Sequence, residues 1–232
     1  MSGSRVFEEI ERGLSLLRQG DGDVEALLAH RMEAVVSLLV SYVSEIKTFN
    51  PALSLVGTSD DGELVARHVL DSLAPLGIIA REAAGFGGAR IADVGSGAGL
   101  PGIPLAIAMP DARFALIERK GRRAGFLRGA AEALGLRNVS VEEQEMEKAK
   151  PGRFALVTFR AFRPLEPKTY KKLARLCASG GALAAYKGRR EKTELEMAAL
   201  ELACPSIAGR WKLLPCPVPG LDEERHIAVI RP

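Results

Sequence analysis

Two kinds of spacing divide the chain. Up to about residue 80, apolar residues recur every three or four positions. Val6, Ile10, Leu14 and Leu17 form one stripe, and Leu28, Val35, Val36, Leu39, Val43 and Ile46 form a second. That spacing gathers apolar side chains on one face of a helix. Asn50-Pro51 reads as the end of the second helix, because proline has no N–H and disfavours helical backbone before it. A third helix is predicted from Glu63 to Leu76, with Thr58, Ser59 or Asp60 able to cap it.

From Arg90 onward, short apolar runs alternate with helical stretches. Strands are predicted at 90–94, 113–117, 138–142, 154–158, 181–187, about 211–218 and 226–231, and helices near 101–109, 121–134, 165–178 and 190–203. Alternation of this kind specifies an α/β fold with a mostly parallel, seven-stranded sheet covered on both faces. The last two strands are joined by Pro219-Gly220-Leu-Asp222 and read as an antiparallel hairpin. The organisation is a helical cap over residues 1–84 and an α/β domain over 85–232.

Composition narrows the classes. Hydrophobic content of 47% suits a globular core, and 5% aromatic content argues against aromatic base-stacking platforms. No apolar run approaches the roughly 20 residues of a membrane span, and the first residues lack the basic start and apolar core of an export signal. Cys177, Cys204 and Cys216 lack metal spacing and read as free thiols in a reducing cytoplasm. Net charge is +3 but uneven: residues 119–192 carry 19 Lys/Arg against 7 Asp/Glu, the rest 13 against 22. A polyanionic partner would explain this asymmetry, and solvated helix faces are the plain alternative.

The chemistry-bearing stretch is Ile91 to Gly102, a short strand running into glycines 95, 97, 99 and 102. Glycines there let bare backbone approach a nucleotide-like ligand, since no Cβ intervenes. Gly97-Ala-Gly99-Leu-Pro-Gly102 also fits the dinucleotide G-x-G-x-x-G pattern, a weak signal alone. Asp93 on the strand, the earlier Gly95/Gly97 pair and the closing hairpin favour S-adenosylmethionine (SAM) over NAD. Glu118 ends the second strand, where a carboxylate accepts ribose hydroxyls of either cofactor.

The sequence resembles the RsmG/GidB family of bacterial 16S rRNA guanine-N7 methyltransferases. The resemblance rests on Val65-Ala-Arg-His-Val-Leu-Asp-Ser72, Asp93-Val-Gly-Ser-Gly-Ala-Gly-Leu-Pro-Gly-Ile-Pro104, Arg122-Arg-Ala-Gly-Phe-Leu-Arg128, Arg160-Ala-Phe162, Lys187-Gly188 and Glu224-Arg-His-Ile-Ala-Val229. It implies a Rossmann-like SAM-binding domain, with Gly95 and Leu100 lining the cofactor, Met146 and Glu147 flanking adenine and Arg160 as a cofactor arginine. It also implies 16S rRNA or the small ribosomal subunit as partner. The chain departs from the family at Arg119-Lys120 after the second-strand acid, and Asn50 to Val56 matches only loosely.

With Asp93, Gly97, Gly99 and Glu118, these residues make up the expected cofactor set. Arg160 and His68 are the catalytic candidates. Arg67, Arg122, Arg123, Arg163, Lys187, Arg189 and Arg225 are the candidate RNA contacts, Phe159 or Phe162 could stack the target base, and a monomer is expected. Guanine N7 exposes a lone pair and no proton, so transfer there needs alignment but no general base. Left open are another RNA or small-molecule methyltransferase, an NAD-dependent oxidoreductase, and a non-catalytic RNA-binding module.

Overall fold

The computed structural model describes residues 2–160 and 165–232. The N-terminal stripes form α1 (Ser2–Gly20), α2 (Gly22–Leu28) and α3 (Met32–Leu53). The second helix does not stop at Asn50-Pro51. Pro51 falls in the last turn of α3, where few intrahelical bonds are left to lose. Ser54 then ends the helix in the left-handed region (φ 48°), its N–H reaching Asn50 O at 2.9 Å. Asn50 instead shapes the next loop, accepting from Val56 N (2.9 Å) and donating to Thr58 O (3.1 Å).

The third predicted helix is broken up. α4 (Asp61–Leu64), capped by Asp60 on Glu63 N at 2.9 Å, passes through a π-helical turn (Val65–Leu70) into α5 (Asp71–Leu73). Pro75, which cannot continue the hydrogen-bond ladder, separates these from α6 (Leu76–Ala84).

The remaining elements are β1 (Arg90–Val94), α7 (Gly102–Ala108), β2 (Arg113–Ile117), α8 (Gly121–Ala133), β3 (Val139–Glu142), β4 (Phe154–Phe159), α9 (Pro167–Ala174), β5 (Cys177–Lys187), α10 (Arg190–Ala203), β6 (Trp211–Pro215) and β7 (His226–Ile230). Helix α9 ends four residues before the predicted 178. The strand starts early because Gly180, at φ 77°, and a register shift opposite Phe154/Leu156 let the chain bulge into the sheet. Strand β6 ends at Pro215, three residues short of the prediction.

The sheet has seven strands in the order β3-β2-β1-β4-β5-β7-β6. Strands β1 to β5 pair in parallel, and β7 pairs antiparallel with both β5 and β6, as the hairpin signal required. Alternate side chains feed two cores. Ile91, Phe114, Leu116 and Leu156 join α1, α3, α6 and α7 on one face. Ala92, Val94, Ile117 and Val157 join α9 and α10 on the other. The helices before residue 85 therefore share a core with the sheet. No single helix among the described residues is long and apolar enough to cross a membrane.

Candidate functional site

Strand order reverses between β1 and β4, and a crevice opens beyond the carboxyl ends of such strands. The turn after β1 fills this point. Gly95 (φ 72°) and Gly97 (φ 57°) adopt the left-handed backbone that favours glycine. The bend is fixed from below. Ser96 Oγ donates to Asp93 O (2.8 Å), Gly95 N donates to Ile117 O (2.8 Å), and Gly102 N donates to Asp93 Oδ2 (3.1 Å). Tyr42, fully buried in α3, donates to Ala98 O at 2.6 Å and ties the cap to the turn. The sequence did not single out Tyr42; its place between Leu39 and Ile46, three and four residues away, is the signal that it faces the core.

Glu118 faces this bend. Its Oε2 accepts from Gly97 N (3.0 Å) and its Oε1 from Lys120 N (2.8 Å), while the side chain is buried. Beside it lies a cavity of about 560 Å³ lined by Gly95, Glu118, Arg119, Arg123, Met146 and Glu147, among others. Arg175, which the sequence did not single out, shapes its rim by donating to Met146 O (2.9 Å) and Ala149 O (2.7 Å). Glu147 pairs with Lys172, and that contact lowers its pKa.

Three expected cofactor residues lie beneath the bend rather than along the cavity. Asp93 is buried under the turn, and burial pushes its pKa up to about 7. Its Oδ1 has no hydrogen-bond partner among the described residues. Gly99 packs on Ile103, where a Cβ would come within 2.6 Å of the side chain, and Leu100 is buried in the core. These residues set the backbone's path.

Arg160 also departs from expectation. Two residues past the register pair Asp93↔Thr158, it lines a neighbouring cavity of about 350 Å³ with His68, Asp71, Tyr186, Cys216 and Arg225. Arg160 Nη1 donates to Asp71 Oδ2 (2.8 Å), and Arg225 Nε donates to Asp71 Oδ1 (3.0 Å). This two-arginine grip sits beside the π-helical turn, a feature frequent at functional sites. Burial, and then the Arg160 charge, lower the His68 pKa to about 4, so the ring is neutral at pH 7.

The expected RNA contacts mostly serve the protein itself. Arg122 Nη2 donates to Ala52 O (3.0 Å) and Arg123 Nη2 to Ser54 O (3.1 Å), holding α8 against the end of α3. Lys187, its side chain 9% exposed, pairs with Glu196 and is no free surface cation. Arg67 pairs with Glu223 at 2.6 Å. Arg189 is exposed, in a groove that also holds Glu191, Glu194, Asp222, Glu223 and Glu224. Phe159 is buried, while Phe162 and Arg163 lie outside the described residues.

A parallel sheet closed by an antiparallel strand, with an open glycine bend facing a strand-end carboxylate, defines a Rossmann-like methyltransferase. Solved structures share the fold: a SAM-dependent methyltransferase from Aquifex aeolicus (TM-score 0.53, 17% identity, covering 81% of this chain and 97% of that one) and a predicted O-methyltransferase from Agrobacterium tumefaciens (0.52, 24%, 69% and 79%). The family model described as rRNA small subunit methyltransferase G matches residues 36–208. Proteins named ribosomal RNA small subunit methyltransferase G are similar along most of their length. The one from Cellvibrio japonicus is 38% identical over 84% of this chain and 85% of its own, and that from Nitrosospira multiformis 39% over 83% and 87%. The chain belongs to the GidB family.

Proposed function

We propose that this protein transfers a methyl group from SAM to N7 of a guanosine in 16S rRNA. The observation that carries the cofactor site is the Glu118 carboxylate, buried at the strand end and bonded to the glycine bend, and membership of the GidB family supports SAM and rRNA as the pair it serves. A carboxylate has about four acceptor sites, and the two backbone N–H groups use one on each oxygen. The rest suit the two hydroxyls of a ribose. Gly95 offers bare backbone, and Met146 an apolar wall for adenine. Bound there, SAM supplies an electrophilic methyl on a sulfonium.

The protein's own groups favour a target atom that brings its own lone pair. Cys216 lines the adjoining cavity, but burial pushes its thiol up to about 12, so it stays protonated at pH 7 and is a poor nucleophile. Guanine N7 needs neither a cysteine adduct nor proton removal, so the protein's work is alignment, worth several kcal/mol. The glycine bend, Glu118 and the Arg160–Asp71–Arg225 grip hold that alignment with few free torsions.

The test supplies labelled SAM and small subunits from cells lacking this enzyme, followed by borohydride/aniline cleavage. Label at one cleavage-sensitive guanosine is expected. Label at an insensitive position rejects N7, and label only on other substrates rejects rRNA.

A further inference from the structure

The opposite edge of the sheet carries its own charged feature. At the amino ends of the strands lies a cleft of about 590 Å³. Arg31, Arg90, Arg113, Arg137 and Arg153 line it, with one carboxylate, Asp111. Arg153 is already engaged, pairing with Glu142 at 2.7 Å and lying over the Phe154 ring. Arg31 reaches Ile107 O at 3.4 Å. Arg90, Arg113 and Arg137 are exposed, and none forms a salt bridge among the described residues.

Two of these arginines are forced together. Arg90 and Arg113 are register partners on β1 and β2. Strand spacing puts their backbones about 4.8 Å apart, with side chains on the same face. Opposed like charges on a sheet are destabilising by up to roughly 1 kcal/mol. The frame around them is stiff. Asn138 Nδ2, next to Arg137, donates to Ala106 O (3.0 Å), Ala112 O (3.1 Å) and Met109 O (3.3 Å). Three cations thus face one carboxylate, Asp111, and none of them forms a salt bridge among the described residues.

We propose that this cleft docks the phosphate backbone of the RNA substrate, apart from the catalytic edge. A guanidinium fork matches phosphate oxygens in pairs, and neighbouring forks suit successive phosphates of one strand. The five residues of β1 span about 17 Å, so a ligand touching both edges must be extended, as ribosomal RNA is and a free nucleotide is not. The inference rests on the rRNA reading above.

The test compares wild type, R90Q/R113Q and a control R12Q/R210Q, which removes two exposed charges outside both cavities. Binding to small subunits lacking the modification is measured against KCl concentration, SAM binding by calorimetry, and methylation on the same subunits. R90Q/R113Q should keep its SAM affinity and melt no lower than wild type, since the change relieves the repulsion between two opposed cations. Its log K against log salt slope should fall by about 1.4–1.8, for two lost phosphate contacts at ~0.7–0.9 each, which is roughly 10- to 30-fold weaker binding at 0.15 M salt. Subunit binding like the control's, or an equal loss of SAM affinity, overturns the docking site. Failure of the wild type to methylate these subunits overturns the rRNA reading itself.

Discussion

Glu118→Gln isolates the group on which the cofactor site depends. Each Glu118 oxygen now accepts one backbone N–H, from Gly97 at 3.0 Å and from Lys120 at 2.8 Å. A glutamine keeps one acceptor and turns an NH2 toward the other N–H. Leaving that buried donor unpaired costs about 1–3 kcal/mol. For a chain of this length the melting temperature should fall roughly 2–12 °C, at about 2–4 °C per kcal/mol. Hydrogen bonds to a charged acceptor are worth about 1.5–3 kcal/mol and neutral ones about 0.5–1.5. Two ribose hydroxyls meeting an amide should therefore lose about 2–3 kcal/mol, a Kd raised roughly 30- to 150-fold. Calorimetry with SAM, well below the variant's melting temperature, reads this directly. A lowered Tm with Kd within threefold of wild type would refute the reasoning: the carboxylate would then only brace the turn.

Three further outcomes follow from the geometry. Gly97→Val meets no protein atom closer than 3.8 Å at Cβ but must hold φ near 57°, a strain of about 1–2 kcal/mol; the fold should survive and SAM binding vanish, and undiminished binding would misplace the cofactor. Asp71→Asn leaves Arg160 and Arg225 facing a neutral amide and should cost about 3–5 kcal/mol, a drop of roughly 6–20 °C in Tm; a change under 1 °C in the melting scan would contradict the grip. His68, at about 4 against an ordinary 6.5, binds fewer protons folded than unfolded, so its contribution to stability is lost as pH falls from 6.5 toward 4. Asp93, raised from 3.8 to about 7, works oppositely, its contribution being lost as pH rises across that window. In His68→Gln, denaturant unfolding should therefore show stability declining from pH 4.5 to 7; a rise would refute the Asp93 shift, and an NMR midpoint near 6.5 for His68 in the wild type would refute its own.

Much of the architecture was legible because its causes are local. Period-3.6 stripes, short apolar strands, the glycine bend and Glu118 about twenty residues later depend on residues near one another in sequence, and the strand predictions fell where β1 and β2 lie. Errors fell at element boundaries, where one residue's place in a turn or bulge decides the end. Pro51 is tolerated in the last turn of α3, and β5 begins early because Gly180 lets it bulge.

Charge was the least legible property. Summed along the chain, residues 119–192 looked like one basic surface. Folding gave Arg122 and Arg123 backbone carbonyls at the end of α3 and Lys187 the Glu196 carboxylate, so these three no longer face solvent without a partner. Folding also collected Arg90, Arg113 and Arg137, unremarkable in sequence, at one strand edge. The sequence alone determined which segments become strands and helices and where the glycine bend must fall, since backbone preference acts over a few residues. Only the tertiary structure decided which charges meet, as Asp71 does with arginines 89 and 154 positions away, because Coulomb attraction follows distance in space.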